Sequence, residues 1–143
     1  MSNQLTAVAT LIDDKVKFVG VSGDNSEIFI DYPKPIGEGE GYTSLELFLI
    51  SFATCTGSTV SQMLRKMHKD VSGLKVTVYG DRRDEHPTYF KKISVQLDLK
   101  SKDVDDIYMK KAIKLAEETY CPVWNMVKNN VEIICEYDIV KIV

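Results

Sequence analysis

Apolar and polar positions divide the chain into a short series of strands and helices. Residues 4–12 (QLTAVATLI) read as a strand that stops at Asp13-Asp14, residues 15–21 (KVKFVGV) as a second, and residues 26–31 (SEIFID) as a third after the polar turn Ser22–Asn25. This close spacing predicts a β-meander. Residues 32–43 carry Pro33, Pro35, Gly37, Gly39 and Gly41, a composition suited to a loop. Thr43-Ser44-Leu45-Glu46 has the form of a capping box, with Thr43 as the N-cap of a helix running to about Lys69. The first half of that helix is apolar on nearly all sides, which predicts that other structure surrounds it.

Residues 74–80 and 90–99 form a second strand pair. Ile93, Val95, Leu97 and Leu99 alternate with Ser94, Gln96 and Asp98, the pattern of a sheet with one wet face. The charged connector Asp81–Thr88 joins them. A helix is expected from about Val104 to Tyr120, where Pro122 ends or kinks it. A short helix over 123–127 and a last strand over 131–142 complete the order βββ-α-ββ-α(α)-β. That order is α+β, and residues 1–143 read as one domain with no internal repeat or linker.

Composition narrows the classes. Of 143 residues 44% are hydrophobic and 27% charged, normal for a globular protein, and the net charge of −3 argues against nucleic acid as a partner. The N-terminal MSNQLTAVAT has no basic stretch and no long apolar core, so no secretory signal is read there and a cytoplasmic location is expected. The uncharged run LFLISFATCTGSTVSQML is just long enough to span a bilayer. Seven of its residues are Ser, Thr or Gln, clustered in its second half, so it reads as a helix buried in protein and no membrane partner is expected. Three widely spaced cysteines and two histidines make neither a disulfide framework nor a zinc site, and no metal is expected.

Among the cysteines, Cys55 lies mid-helix within Ala53-Thr54-Cys55-Thr56-Gly57-Ser58. By itself it reads as a small buried hydrophobe. Gly57 weakens the helix by about 1 kcal/mol relative to Ala, a sign that something packs closely there. Cys121 precedes Pro122, which places it at the N-cap of the short helix with proline at N1, where the helix dipole favours thiolate. Cys135 shares a strand face with Val131, Ile133, Tyr137 and Ile139 and reads as core.

These segments together resemble the OsmC/Ohr family of thiol peroxidases over essentially the whole chain. The resemblance is carried by Thr43-Ser44-Leu45-Glu46 with LFLISFATC, by Glu118-Thr119-Tyr120-Cys121-Pro122-Val123, and by the order of elements. Gly80-Asp81-Arg82-Arg83-Asp84-Glu85-His86-Pro87, followed by Phe90, is similar to a strand-end motif of the short OsmC-like subgroup. The resemblance implies a peroxidatic Cys55, a resolving Cys121 and a site carboxylate at Glu46. It also implies an intertwined homodimer whose two β-sheets enclose central helices. The implied substrate is an organic hydroperoxide or hydrogen peroxide, with no cofactor and an external thiol, such as a dihydrolipoyl group, as reductant.

Helix geometry conditions the Glu46 role. Nine residues turn a helix through about 900°, so Glu46 and Cys55 face opposite ways on one straight helix, about 13–14 Å apart along it. Glu46 acts on Cys55 only across a dimer or around a bend. It is also simply the capping-box residue, and the two roles are compatible. The family's N-terminal arginine is missing here, where the chain offers Lys15, Lys17 and Lys34. Lysine lacks the guanidinium's two-pronged fork. The substrate-binding candidates are Arg82 and Arg83. Alternation through Val76 and Val78 predicts Arg82 on the apolar face and Arg83 on the wet one. Two rival functions stay open, a non-catalytic module binding a small apolar ligand and a redox sensor.

Overall fold

The structure, a computed structural model, describes residues 3–143. Met1 and Ser2, the start of the stretch read above for a secretory signal, lie outside the described residues. The chain divides into two compact units, up to Phe48 and from Leu49 onward.

In the first unit the expected meander forms. Strands β1 (Ala7–Leu11), β2 (Phe18–Ser22) and β3 (Ile28–Ile30) pair antiparallel in sequence order. The sheet is poorly covered within its unit, since Val8, Leu11, Val21, Ile28 and Phe29 are all exposed. The loop after β3 is organised by a residue that hydrophobic patterning passes over. Asp31 is fully buried, and its carboxylate accepts backbone N–H bonds from Tyr32 at 2.8 Å, Glu40 at 3.1 Å and Glu38 at 3.2 Å. Gly37 packs so closely on it that a Cβ would lie 2.2 Å from Oδ1.

Burial alone would raise the Asp31 pKa, but the three N–H donors outweigh it and hold the group below the usual carboxylate value. A carboxyl whose pKa is lowered on folding stabilises the fold above its unfolded value, and that contribution is lost as pH falls through the folded one. The amides of Glu38 and Glu40 should therefore exchange with deuterium faster as pH drops below about 4, after correction for intrinsic exchange. In Asp31→Ala they should exchange fast at every pH. Equal protection in the variant would show that the loop is held by other means.

Helix α1 (Ser44–Lys66) begins in the first unit and continues through the second. Its 23 residues are long and apolar enough to cross a membrane by length and composition. The surrounding predicted for it is incomplete within this chain. Phe52, Thr56, Val60, Met63 and Leu64 are buried, whereas Ile50, Ser51, Thr54 and Ser58 are exposed. Hydroxyls in its polar half turn back on the helix, Thr54 to Ile50 O and Thr59 to Cys55 O, so they need no outside partner.

The second sheet has the order β4-β5-β6, from β4 (Gly73–Arg82), β5 (Phe90–Ser101) and β6 (Glu132–Lys141). β4 and β5 form the expected antiparallel pair, and β6 lies parallel to β5. The parallel pairing requires a crossover, which the helical stretch between them supplies. The alternation in β5 holds, with Ile93, Val95, Leu97 and Leu99 buried. They share the core of this unit with Phe52, Val60 and Leu64 of α1 and with Met109, Ala112 and Trp124 of the crossover. Gly57 is buried where β4 approaches, and a Cβ there would meet Val76 at 2.9 Å, which explains a glycine in mid-helix.

The crossover departs from one continuous helix. Helix α2 (Asp106–Leu115) gives way to a π-helical turn at Ala116–Tyr120, and α3 (Pro122–Val127) follows. The turn widens because the Cys121 N–H bonds Ala116 O, five residues back, at 3.0 Å. Pro122 has no N–H with which to continue the ladder.

Candidate functional site

Two cysteines distant in sequence meet at the junction of α1 with the π-helical turn. On α1, Phe52, Thr56 and Val60 recur every four residues and point inward. Cys55 precedes that stripe by one residue before Thr56 and is half-buried. Cys121 has an extended backbone (φ −88°, ψ 104°), as expected before proline, and forms the N-cap of α3 with Pro122 at N1. Its Sγ accepts the Trp124 N–H at 3.5 Å, and its carbonyl accepts the Asn125 N–H at 3.0 Å and side-chain amide at 2.8 Å. These bonds fix the sulfur in place.

The Cys121 thiol donates to Cys55 Sγ across 3.1 Å. Thr56 Oγ1 lies 3.9 Å from Cys121 Sγ, within range of a long sulfur hydrogen bond. The ring of Trp124 stacks at a tilt on Phe52, with centroids 5.8 Å apart. Tyr120, the other aromatic neighbour of Cys121, is exposed.

The thiolate expected at Cys121 is corrected. Burial, joined by the bond it donates to Cys55, pushes its pKa up to about 11, and the N–H of α3 only partly offsets this. Cys121 is fully buried, so the cost of burying a charge exceeds the gain from one short helix. At neutral pH it is a thiol, with its proton directed at Cys55. Cys135 is half-buried on β6, and burial, with the charges of Glu117 and Glu136, pushes its thiol up to about 12. It takes no part in the sulfur pair.

Glu46 forms the capping box in both directions. Its side chain accepts the Thr43 N–H at 2.9 Å, and its own N–H bonds Thr43 Oγ1 at 3.2 Å. The bonds from Thr43 hold its carboxyl below the usual value, so it is ionised at neutral pH. The N-terminal lysines are paired, Lys15 and Lys34 with Glu38 and Lys17 with Glu40.

Arg82 is not the inward guanidinium that alternation predicts. Register shifts between Asp81 and Arg82, and the Phe90 ring takes the inward place against Gly80, where a Cβ would meet it at 2.4 Å. Arg82 is exposed and bound to Thr88 through both its carbonyl and its hydroxyl. Arg83 is the more covered of the two. Its guanidinium lies 4.8 Å above the Tyr89 ring, and Nη1 reaches Pro87 O at 3.5 Å. Both are satisfied within their own hairpin. No cluster of three or more His, Cys, Asp or Glu suited to a metal ion occurs among the described residues.

Sequence reasoning missed Thr56 and the Trp124 N–H. Thr56 was detectable, because a threonine in register with Phe52 and Val60 must turn its hydroxyl into the core, where it needs a partner. The N–H donor follows from the N-cap geometry of Cys121 but not from any side chain.

The family model described as OsmC-like protein matches residues 37–136. Protein YhfA of Escherichia coli is 28% identical over 124 residues, which is 86% of this chain and 90% of that protein. The crystal structure of a hypothetical protein from Aquifex aeolicus aligns with a TM-score of 0.87 at 25% identity, covering 99% of this chain and 100% of the other. The organic hydroperoxide resistance protein OhrB of Bacillus subtilis aligns at 0.64 and 22% identity, covering 94% of this chain and 98% of its own, a likeness of fold.

Proposed function

Since the chain belongs to the OsmC-like protein family, we propose that it is a thiol-dependent peroxidase acting through Cys55 and Cys121. The observation that carries this reading is the approach of the two sulfurs to 3.1 Å, with one half-exposed and the other buried and protonated.

The chemistry follows from that asymmetry. Cys55 thiolate attacks the distal oxygen of a hydroperoxide. An S–O bond forms, the O–O bond breaks with its electron pair on the alkoxide, and the proton that the Cys55 thiol gave up on ionising returns to the alkoxide, giving alcohol. Cys55 becomes a sulfenic acid. Cys121 then attacks the Cys55 sulfur, and its proton goes to the departing hydroxide, giving water and a disulfide. An external thiol, such as a dihydrolipoyl group, restores both cysteines. No cofactor enters these steps.

The remaining residues are assigned by the same proposal. Glu46 is the ionised carboxylate, acting in a homodimer on Cys55 of the partner subunit. Arg82 and Arg83 are the guanidiniums assigned to substrate oxygen, which would have to replace their present contacts with Thr88 and Pro87. Homodimer formation is supported by the exposed apolar side chains of β1–β3 and by the incompletely covered α1. A cytoplasmic setting would keep the thiols reduced.

The test is mass spectrometry of the reduced protein after one equivalent of an alkyl hydroperoxide. A Cys55–Cys121 disulfide with one alcohol released supports the reading. Unchanged thiols would reject it. The paired N-terminal lysines favour, as a second reading, a non-catalytic module for a small apolar ligand. Inert thiols with a ligand retained in native spectra would support that. Oxidation without turnover would indicate a redox sensor.

A further inference from the structure

A Cys55–Cys121 disulfide has two sulfurs that an external thiol could attack, and each choice expels a different leaving group. Their surroundings are unequal. Cys121 has no exposed surface, whereas Cys55 is half-buried on α1. The incoming thiol meets the Cys55 side first. That route creates a thiolate on Cys121, in a place closed to water, where an unpaired charge is costly.

Thr56 answers that cost. It is fully buried, adjacent in sequence to Cys55, and its hydroxyl reaches across to Cys121 Sγ at 3.9 Å. In the resting pair the Cys121 proton is already directed at Cys55, so the proton between Thr56 and Cys121 is the hydroxyl's. A bond that is long to a neutral sulfur tightens when the sulfur becomes an anion.

Resting on the peroxidase reading, we propose that the reducing thiol attacks Cys55 Sγ, that Cys121 is the leaving group, and that Thr56 is the positioning residue that stabilises it. The thiolate RS⁻ forms a bond to Cys55 Sγ. The Cys55–Cys121 bond breaks with its electron pair on Cys121, which accepts from Thr56 Oγ1–H and the Trp124 N–H. Cys121 is reprotonated by the proton that the reducing thiol lost. A second thiol, or the second sulfur of a dithiol, attacks the R sulfur of the mixed disulfide. It releases the Cys55 thiolate and RSSR, so one disulfide and two thiols become two thiols and one disulfide.

The experiment forms the disulfide in the full chain with diamide, which makes it independent of peroxide. The oxidised protein is mixed with a monothiol, quenched in acid, and mapped by peptide mass spectrometry. The expected adduct is on Cys55, with Cys121 free. Thr56→Val should slow reduction about tenfold, and Thr56→Ser should restore it. In a Cys55→Ser background, Thr56→Val should also move the Cys121 titration upward, read by thiolate ultraviolet absorbance, a shift that a merely structural role would not give.

An adduct on Cys121, or a Thr56→Val rate equal to the parent's, would overturn the proposal. Absence of a diamide-induced disulfide would overturn it together with the peroxidase reading. If diamide forms the disulfide and it opens as described while peroxide leaves the thiols unchanged, only the peroxidase reading fails.

Discussion

Cys55→Ser should lower peroxide consumption by at least about 10³-fold, the scale expected when the nucleophile itself is removed. Serine's hydroxyl is protonated at neutral pH and has no polarisable sulfur to attack an O–O bond. Cys121 does not rescue the variant, because it is fully buried and its pKa is pushed up to about 11. Cys121→Ser has a different expected signature. Cys55 should still be oxidised once, within a few-fold of the parent rate, because a serine hydroxyl still donates to the Cys55 sulfur. Turnover should stop there. The sulfenic acid has no resolving partner and should advance to sulfinic acid under excess peroxide. Cys121→Ala should slow the first oxidation as well, since the donor is gone. Stopped-flow peroxide consumption with intact-mass analysis separates the three variants. Equal first-step rates in Cys121→Ser and Cys121→Ala would show that the 3.1 Å contact does not assist the attack.

The structural basis of that difference was only partly visible in the sequence. Features set by nearest neighbours were legible. The capping box placed the start of α1, the alternation of Ile93, Val95, Leu97 and Leu99 placed the buried face of β5, and Cys121-Pro122 placed an N-cap with proline at N1. What escaped depends on backbone pairing and on the extent of burial, which residue type along the chain does not fix. The π-helical turn is a choice between hydrogen-bond partners one residue apart, which side-chain type barely influences. The exposure of Arg82 follows from a register shift and from the Phe90 ring filling the place beside Gly80, so a period of two counted along β4 alone misplaces it. The protonation of Cys121 is a contest between burial and one short helix, and only the extent of burial decides it.

Trp124→Ala tests that burial directly and should strongly destabilise the second unit. Trp124 is 2% exposed and stacks on Phe52, so truncation leaves a cavity under α3 at a cost of about 3–5 kcal/mol. That is a large part of the roughly 5–15 kcal/mol that holds a typical domain together. Chemical denaturation should show the midpoint falling steeply, and Trp124→Phe should recover most of the loss. The backbone N–H that bonds Cys121 survives the substitution, so any change in the sulfur comes from lost cover. Burial raises the Cys121 pKa from 9.0 to about 11. A thiol whose pKa is raised on folding stabilises the fold below its unfolded value, and that contribution is lost as pH rises through the folded one. The parent should therefore lose stability progressively between about pH 9 and pH 11 through this group. In Trp124→Ala, with Cys121 opened to water, the alkaline loss should shrink and the thiol should titrate closer to 9. An unchanged alkaline profile, with the fall in midpoint intact, would mean that Trp124 stabilises the fold without setting the state of the sulfur.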